Sequence, residues 1–327
     1  MKKKVNILVI MSLLISSLLI SCDEKEDFTE SIFNTEIPEL NPDSYTYDFD
    51  KFLRDEFRVP YNLQFIYRME DTGTNMNYNF CPPSYIKSKH MAVIIKELLF
   101  EVFKGNVFVS GYNKEFMYWN GPRIVQLTGN LAINPANLSQ LQGSASSGVK
   151  LNIFDVNSLN VSSLKDLKDK YIHGLFRDFG FILQSRERMP QSFVFFSSEY
   201  YKPSGWNINE KIALSLGFVT PYAGSGALTD FSEVFARYLV CNEEEWNNDL
   251  SNASKGWKMN ENKLEECPDY DGVNGNILIL DKLDMVRTWL RDNFNVDIEK
   301  LKFEVQRRIL LLDSGYINGL LIEYGIE

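Results

Sequence analysis

The spacing of apolar residues changes character near Leu164, and that change limits the fold more than any single motif does. Before it, strand-like runs at Leu63–Arg68, Val107–Ser110, Ile124–Thr128 and Val149–Phe154 are punctuated by Gly105, Gly111, Gly121, Gly129 and Gly143, the pattern of brief strands separated by turns. Helical spacing over Tyr47–Phe57 and Ala92–Phe103 is set among them. After it, Leu164, Leu167, Tyr171, Phe176, Phe179 and Leu183 recur at three- to five-residue steps, which predicts a long helix over about 163–184. Further helices are predicted at Asn209–Leu216, Asp230–Val240, Ile277–Phe294 and Ile298–Asp313. A small mixed sheet in the first half and a mainly helical second half make an α+β chain.

The N-terminus reads as a removable address. Lys2, Lys3 and Lys4 precede an apolar run from Ile7 to Ile20, and Ser21 stands just before Cys22; this is the order of a lipoprotein signal peptide, with Cys22 as the lipidated residue. The apolar run is too short for a bilayer span. The division predicted is a signal peptide over 1–21, a flexible lipid-anchored tether over 22–45 rich in Asp, Glu, Thr, Ser, Asn and Pro, and one folded domain over 46–327. The acidic cluster Asp23-Glu24-Lys25-Glu26-Asp27 resembles the export signal that sends some Gram-negative lipoproteins to the outer face of the outer membrane. Cleavage before Cys22 removes three lysines from a chain whose formal net charge is already −10. Such acidity argues against nucleic acid as a partner and against anionic headgroups, leaving the lipid as the membrane attachment.

Chemistry is sparse. Cys81, Cys241 and Cys267 remain after Cys22, with no Cys-x-x-Cys spacing and only His90 and His173 as imidazoles, so a Cys/His zinc site is excluded. A Cys241–Cys267 disulfide stays open, since connectivity does not follow from sequence. No Gly-x-Ser-x-Gly elbow and no phosphate loop ending in Lys-Ser/Thr is present; Gly143–Gly148 lacks the lysine and reads as a turn. Asp230 and Glu233 lie three residues apart on one predicted helix, too close to flank a sugar from opposite sides. Tyr200, Tyr201, Trp206, Trp246 and Trp257 sit in polar segments, where rings either stack on sugars and peptide side chains or cover the edge of the core.

The helix around Arg177 carries the sharpest signal. Its segment Arg177-Asp178-Phe179-Gly180-Phe181-Ile182-Leu183 has the form of a His-Glu-x-x-His zinc helix in which the histidine positions hold Arg177 and Phe181, and the glutamate position holds Asp178. A working motif presents two imidazoles on one helical face, with the glutamate as base on the metal-bound water. With the run Gly217–Ala223, the stretch Thr229-Asp230-Phe231-Ser232-Glu233, the upstream Pro60–Arg68, and Pro82-Pro83, Gly129, Asn157, Trp289 and Val296-Asp297, the chain resembles the substrate import-associated zinc metallohydrolase lipoproteins. These are a zinc-binding metallopeptidase family that accompanies starch-utilisation-type TonB-dependent importers.

The resemblance implies a zincin-like (gluzincin-like) domain, zinc as the family's cofactor, and, as partners, an importer with its substrate-binding lipoprotein, with a peptide or glycan as ligand. The departures from the pattern then set the function. Arginine and phenylalanine offer no lone pair to a metal near neutral pH, so no metal and no cofactor is expected, and the chain reads as a pseudopeptidase serving as a non-catalytic accessory; an active hydrolase that trims substrate before import is the alternative. His173, one turn before Arg177, reads as a partly buried structural histidine. The third ligand of the family falls at Thr229, where it is lost, or at Glu233; Asp230 as N-cap with Glu233 three residues on composes a capping box, which is the reading favoured here. A guanidinium in place of the cation would satisfy Asp178 or Glu233.

Overall fold

The computed structural model describes residues 37, 39–69, 78–133, 148–203, 208–267 and 274–327. The signal segment, Cys22, most of the predicted tether, Trp206 and the greater part of the Gly143–Gly148 turn lie outside them. Asp43–Glu327 forms one compact unit.

Helix α1 (Tyr47–Leu53) runs through a π turn, Arg54–Arg58, to Val59–Tyr61 and leads into β1 (Gln64–Ile66). Helix α2 (Tyr85–Ile95) continues through a π turn, Lys96–Phe100. Then come α3 (Phe116–Asn120), β2 (Ile124–Leu127) and β3 (Lys150–Ile153). The three strands form a parallel sheet in the order β1-β2-β3, with Gln64 opposite Ile124 and Ile124 opposite Lys150. Parallel neighbours need crossovers, and the β1–β2 crossover contains α2 and α3. Val107–Ser110, predicted as a strand, forms only a bridge from Phe108 to Val296.

Among the described residues the second half is helical apart from one hairpin. Helix α4 (Leu164–Leu167) passes through a π turn, Lys168–Ile172, into α5 (His173–Arg186). After it follow α6 (Glu210–Ser215), α7 (Ala227–Val240), α8 (Glu243–Ala253), the antiparallel pair β4 (Trp257–Asn260) and β5 (Lys263–Glu266), α9 (Gly275–Phe294), α10 (Ile298–Leu311) and α11 (Ser314–Glu323). The capping residues explain several starts: Asn242 and Glu245 make a capping box on α8, and the Asp297 and Asp313 carboxylates accept from the first turns of α10 and α11. Among the described residues no helix is long and apolar enough to cross a membrane.

Helices α5 and α7 are the packing centre. Gly180 lets them approach, since a Cβ there would lie 3.0 Å from Ser232 Oγ and 3.2 Å from Phe235 Cδ1. The core is ring-rich: Phe231 meets Trp289 edge-on at 5.0 Å and Phe193 at 5.0 Å, and Phe103 stacks on Phe116 at 4.5 Å, contacts worth more than their buried area alone. At the start of α9, Gly275 faces three carbonyls; a Cβ would come within 2.2 Å of Leu214 O and 2.6 Å of Ser215 O. Backbone cannot yield as a side chain can, so Gly275→Ala is expected to cost about 1–3 kcal/mol, read as a lower melting temperature. An unchanged melting temperature would show that the α6–α9 contact is looser than described.

Candidate functional site

Helix α5 presents His173, Arg177 and Phe181 at four-residue intervals on one face, because positions four apart in a helix stack above one another. Arg177 is 7% exposed and Asp178 2%. The Arg177 guanidinium donates from Nε to Asp178 Oδ1 at 2.9 Å, and its Nη1 lies 3.7 Å from Glu233 Oε1. The Tyr222 ring lies beneath it at 5.4 Å. Glu233, 1% exposed on α7, accepts from Thr220 Oγ1 at 2.9 Å. His173 Nε2 lies 3.2 Å from Glu233 Oε2 without hydrogen-bond geometry.

The electrostatics follow from that arrangement. Burial works against the Arg177 charge, but Asp178 and Glu233 outweigh it and hold the guanidinium more firmly charged than in water. Burial pushes the Asp178 carboxyl up, opposed by Arg177. Burial lowers the His173 imidazole, with Glu233 opposing, so near neutral pH it stays uncharged beside the guanidinium.

Zinc does not fit this donor set. Of the two positions that the resemblance assigns to imidazoles, one carries a cation already paired with the neighbouring carboxylates, and the other is the phenyl ring of Phe181. Among the described residues no group of three His, Cys, Asp or Glu side chains is placed to hold a metal ion. The guanidinium itself supplies the positive charge that Asp178 and Glu233 face, through a charge-assisted contact of the kind a carboxylate prefers.

Two cavities flank His173. One, of about 790 Å³, is lined by residues that include Lys168, Thr220, Arg237, Glu245 and Gln306. The other, of about 530 Å³, runs past Arg177 and Asp178 toward Asn152 and Phe154 beside β3. Volumes of this size suit a small ligand or a peptide segment.

Other sequence expectations are redrawn. Asp230 is not an N-cap: α7 begins three residues earlier with Gly226 at the cap position, and Asp230 turns inward. It meets Lys282 Nζ at 2.7 Å and accepts from the Tyr201 hydroxyl at 2.9 Å. Thr229 is half-buried one position before it. Trp246 and Trp257 are not surface rings. Trp246 is 6% exposed and packs edge-on against Tyr238, and Trp257 is 8% exposed with its indole N–H donating to Asn252 O. Tyr200 and Tyr201 are half-buried against Ala213, Phe218 and Ala223. Open rings are found elsewhere, Tyr45 at 84%, Phe195 at 78%, Phe303 at 71% and Trp119 at 60% among them. Cys81, Cys241 and Cys267 are all free thiols. Thr220 and Tyr222, which complete the Arg177 surroundings, come from the Gly217–Ala223 run, but nothing in their identity announces the role.

Comparison with known proteins accords with this architecture. No curated protein matches the chain. The chain is similar to a solved structure described as "a putative zinc-binding metallo-peptidase" from Bacteroides caccae, with 25% identity, a TM-score of 0.62, and coverage of 84% of this chain and 95% of that one. The model of the family described as "Putative zinc-binding metallo-peptidase" matches residues 43–299. With most of its length matched, the chain belongs to this metallo-peptidase family.

Proposed function

We propose that this protein is a non-catalytic member of its family: a lipid-anchored protein of the outer cell surface whose zincin-like domain keeps the fold and the cleft while an internal ion pair replaces the metal. The observation that carries the reading is the Arg177 guanidinium held between Asp178 and Glu233. In that role it serves a TonB-dependent nutrient importer and its substrate-binding lipoprotein, either capturing a peptide or glycan in the cavities beside His173 or scaffolding the complex. The lipobox ending at Cys22 and the acidic residues after it support attachment and outward orientation.

Two results are expected. Cys22→Ser moves the protein from the membrane fraction to the soluble one, because a single residue carries the anchor. Affinity purification of the lipidated chain from its native outer membrane brings an importer barrel with it in near-equal amount. Recovery of the chain alone, from membranes in which an importer is present, contradicts the accessory role.

A further inference from the structure

We propose that Lys282 and Asp230 are joined by an isopeptide bond that the chain forms within its own core, a covalent staple between α9 and α7. Both side chains are 0% exposed. Lys282 Nζ lies 2.7 Å from Asp230 Oδ2, donates to Gly217 O at 2.7 Å, and sits 4.5 Å from the centre of the Phe218 ring. The Tyr201 hydroxyl donates to Oδ2, and Oδ1 is buried with no partner. This cluster lies apart from the Arg177 ion pair and has no share in the proposed function.

The surroundings favour condensation over a lasting ion pair. Two full charges taken wholly out of water carry a large desolvation cost, and here one carboxylate oxygen is left without a hydrogen bond. Burial pushes the Asp230 carboxyl up and the Lys282 amine down, both toward their uncharged forms. An amine and a carboxylic acid held in contact on two packed helices also have the large effective concentration of an intramolecular pair. In a site without bulk water, the product is protected from hydrolysis.

The step balances without a co-reactant. One proton passes from Nζ to Oδ2, giving amine and acid. The nitrogen lone pair attacks Asp230 Cγ and forms a C–N bond. A second nitrogen proton passes to Oδ2, whose bond to Cγ breaks, and Oδ2 leaves as water with the Tyr201 O–H donating to it. The nitrogen keeps one proton, which continues to face Gly217 O, and Oδ1 becomes a neutral amide oxygen rather than half of an orphaned carboxylate.

Tryptic mapping of the denatured full chain by mass spectrometry tests this. The linked form gives the peptide Ile212–Arg237 joined to Leu264–Arg287, lighter than their sum by one water, with no cleavage after Lys282 because its side chain is acylated. That species is expected to dominate in the wild type and to vanish in Lys282→Arg. If the unlinked peptides Ile212–Arg237 and Leu264–Lys282 dominate in the wild type, the bond does not form and the pair is an ordinary buried salt bridge.

Discussion

Arg177→Ala is expected to lower the stability of the folded domain by about 3–5 kcal/mol, the cost of removing one partner from a buried charge pair. The loss falls mostly on Asp178, which is 2% exposed and receives its charged hydrogen bond from Arg177 Nε. Glu233 keeps the Thr220 hydroxyl but loses the cation facing its other oxygen. Arg177→Lys is expected to recover only part of the loss, because an ammonium cannot span both carboxylates as a planar fork does. Denaturant unfolding of the three proteins decides the matter. Equal midpoints for wild type and Arg177→Ala would mean that the guanidinium is a passenger rather than the replacement for a metal.

The second large effect is a gain. Arg177→His with Phe181→His places two imidazoles four residues apart on one face of α5, the spacing that brings ring nitrogens to one metal. Glu233 Oε1 already lies 3.7 Å from the Arg177 side chain and supplies a third ligand, the His₂Glu set of a catalytic zinc centre. The double variant is expected to bind one zinc per chain where the wild type binds none, with a zinc-dependent rise in melting temperature as binding to the native state requires. Failure to bind zinc, in a variant that folds, would show that α5 and α7 no longer hold the family's ligand geometry.

The long helix was legible because the apolar residues from Leu164 to Leu183 keep helical spacing, and its one five-residue step, from Tyr171 to Phe176, straddles the junction of the π turn Lys168–Ile172 with α5. A turn with an extra residue shifts the apolar stripe without breaking it. Strand pairing was less legible: Val107–Ser110 has the composition of a strand but forms a single isolated bridge, Phe108 to Val296, with backbone hydrogen bonds to Asn295 and Asp297 beside it, and composition cannot say whether a full partner strand arrives. At the site, the residue types at 177, 178 and 181 were enough to mark where the sequence departs from a His-Glu-x-x-His pattern. Which carboxylate faces them was not, because Asp230 and Glu233 lie one helical turn apart and their directions depend on where α7 begins. Gly226 at its cap position sends Asp230 to Lys282 and Glu233 to Arg177. A wholly buried lysine in α9 could not be read at all, since a lysine in an amphipathic helix ordinarily faces water.

Zinc content measures the central claim most directly. The protein, purified with excess zinc and then freed of loosely held ions, is analysed for bound metal by native mass spectrometry, with hydrolysis of a broad peptide library followed in parallel. The ion-pair account predicts no stoichiometric zinc and no zinc-dependent cleavage. One zinc per chain together with cleavage that a chelator abolishes would contradict it, and would mean that other side chains complete the site and that the family's chemistry persists here.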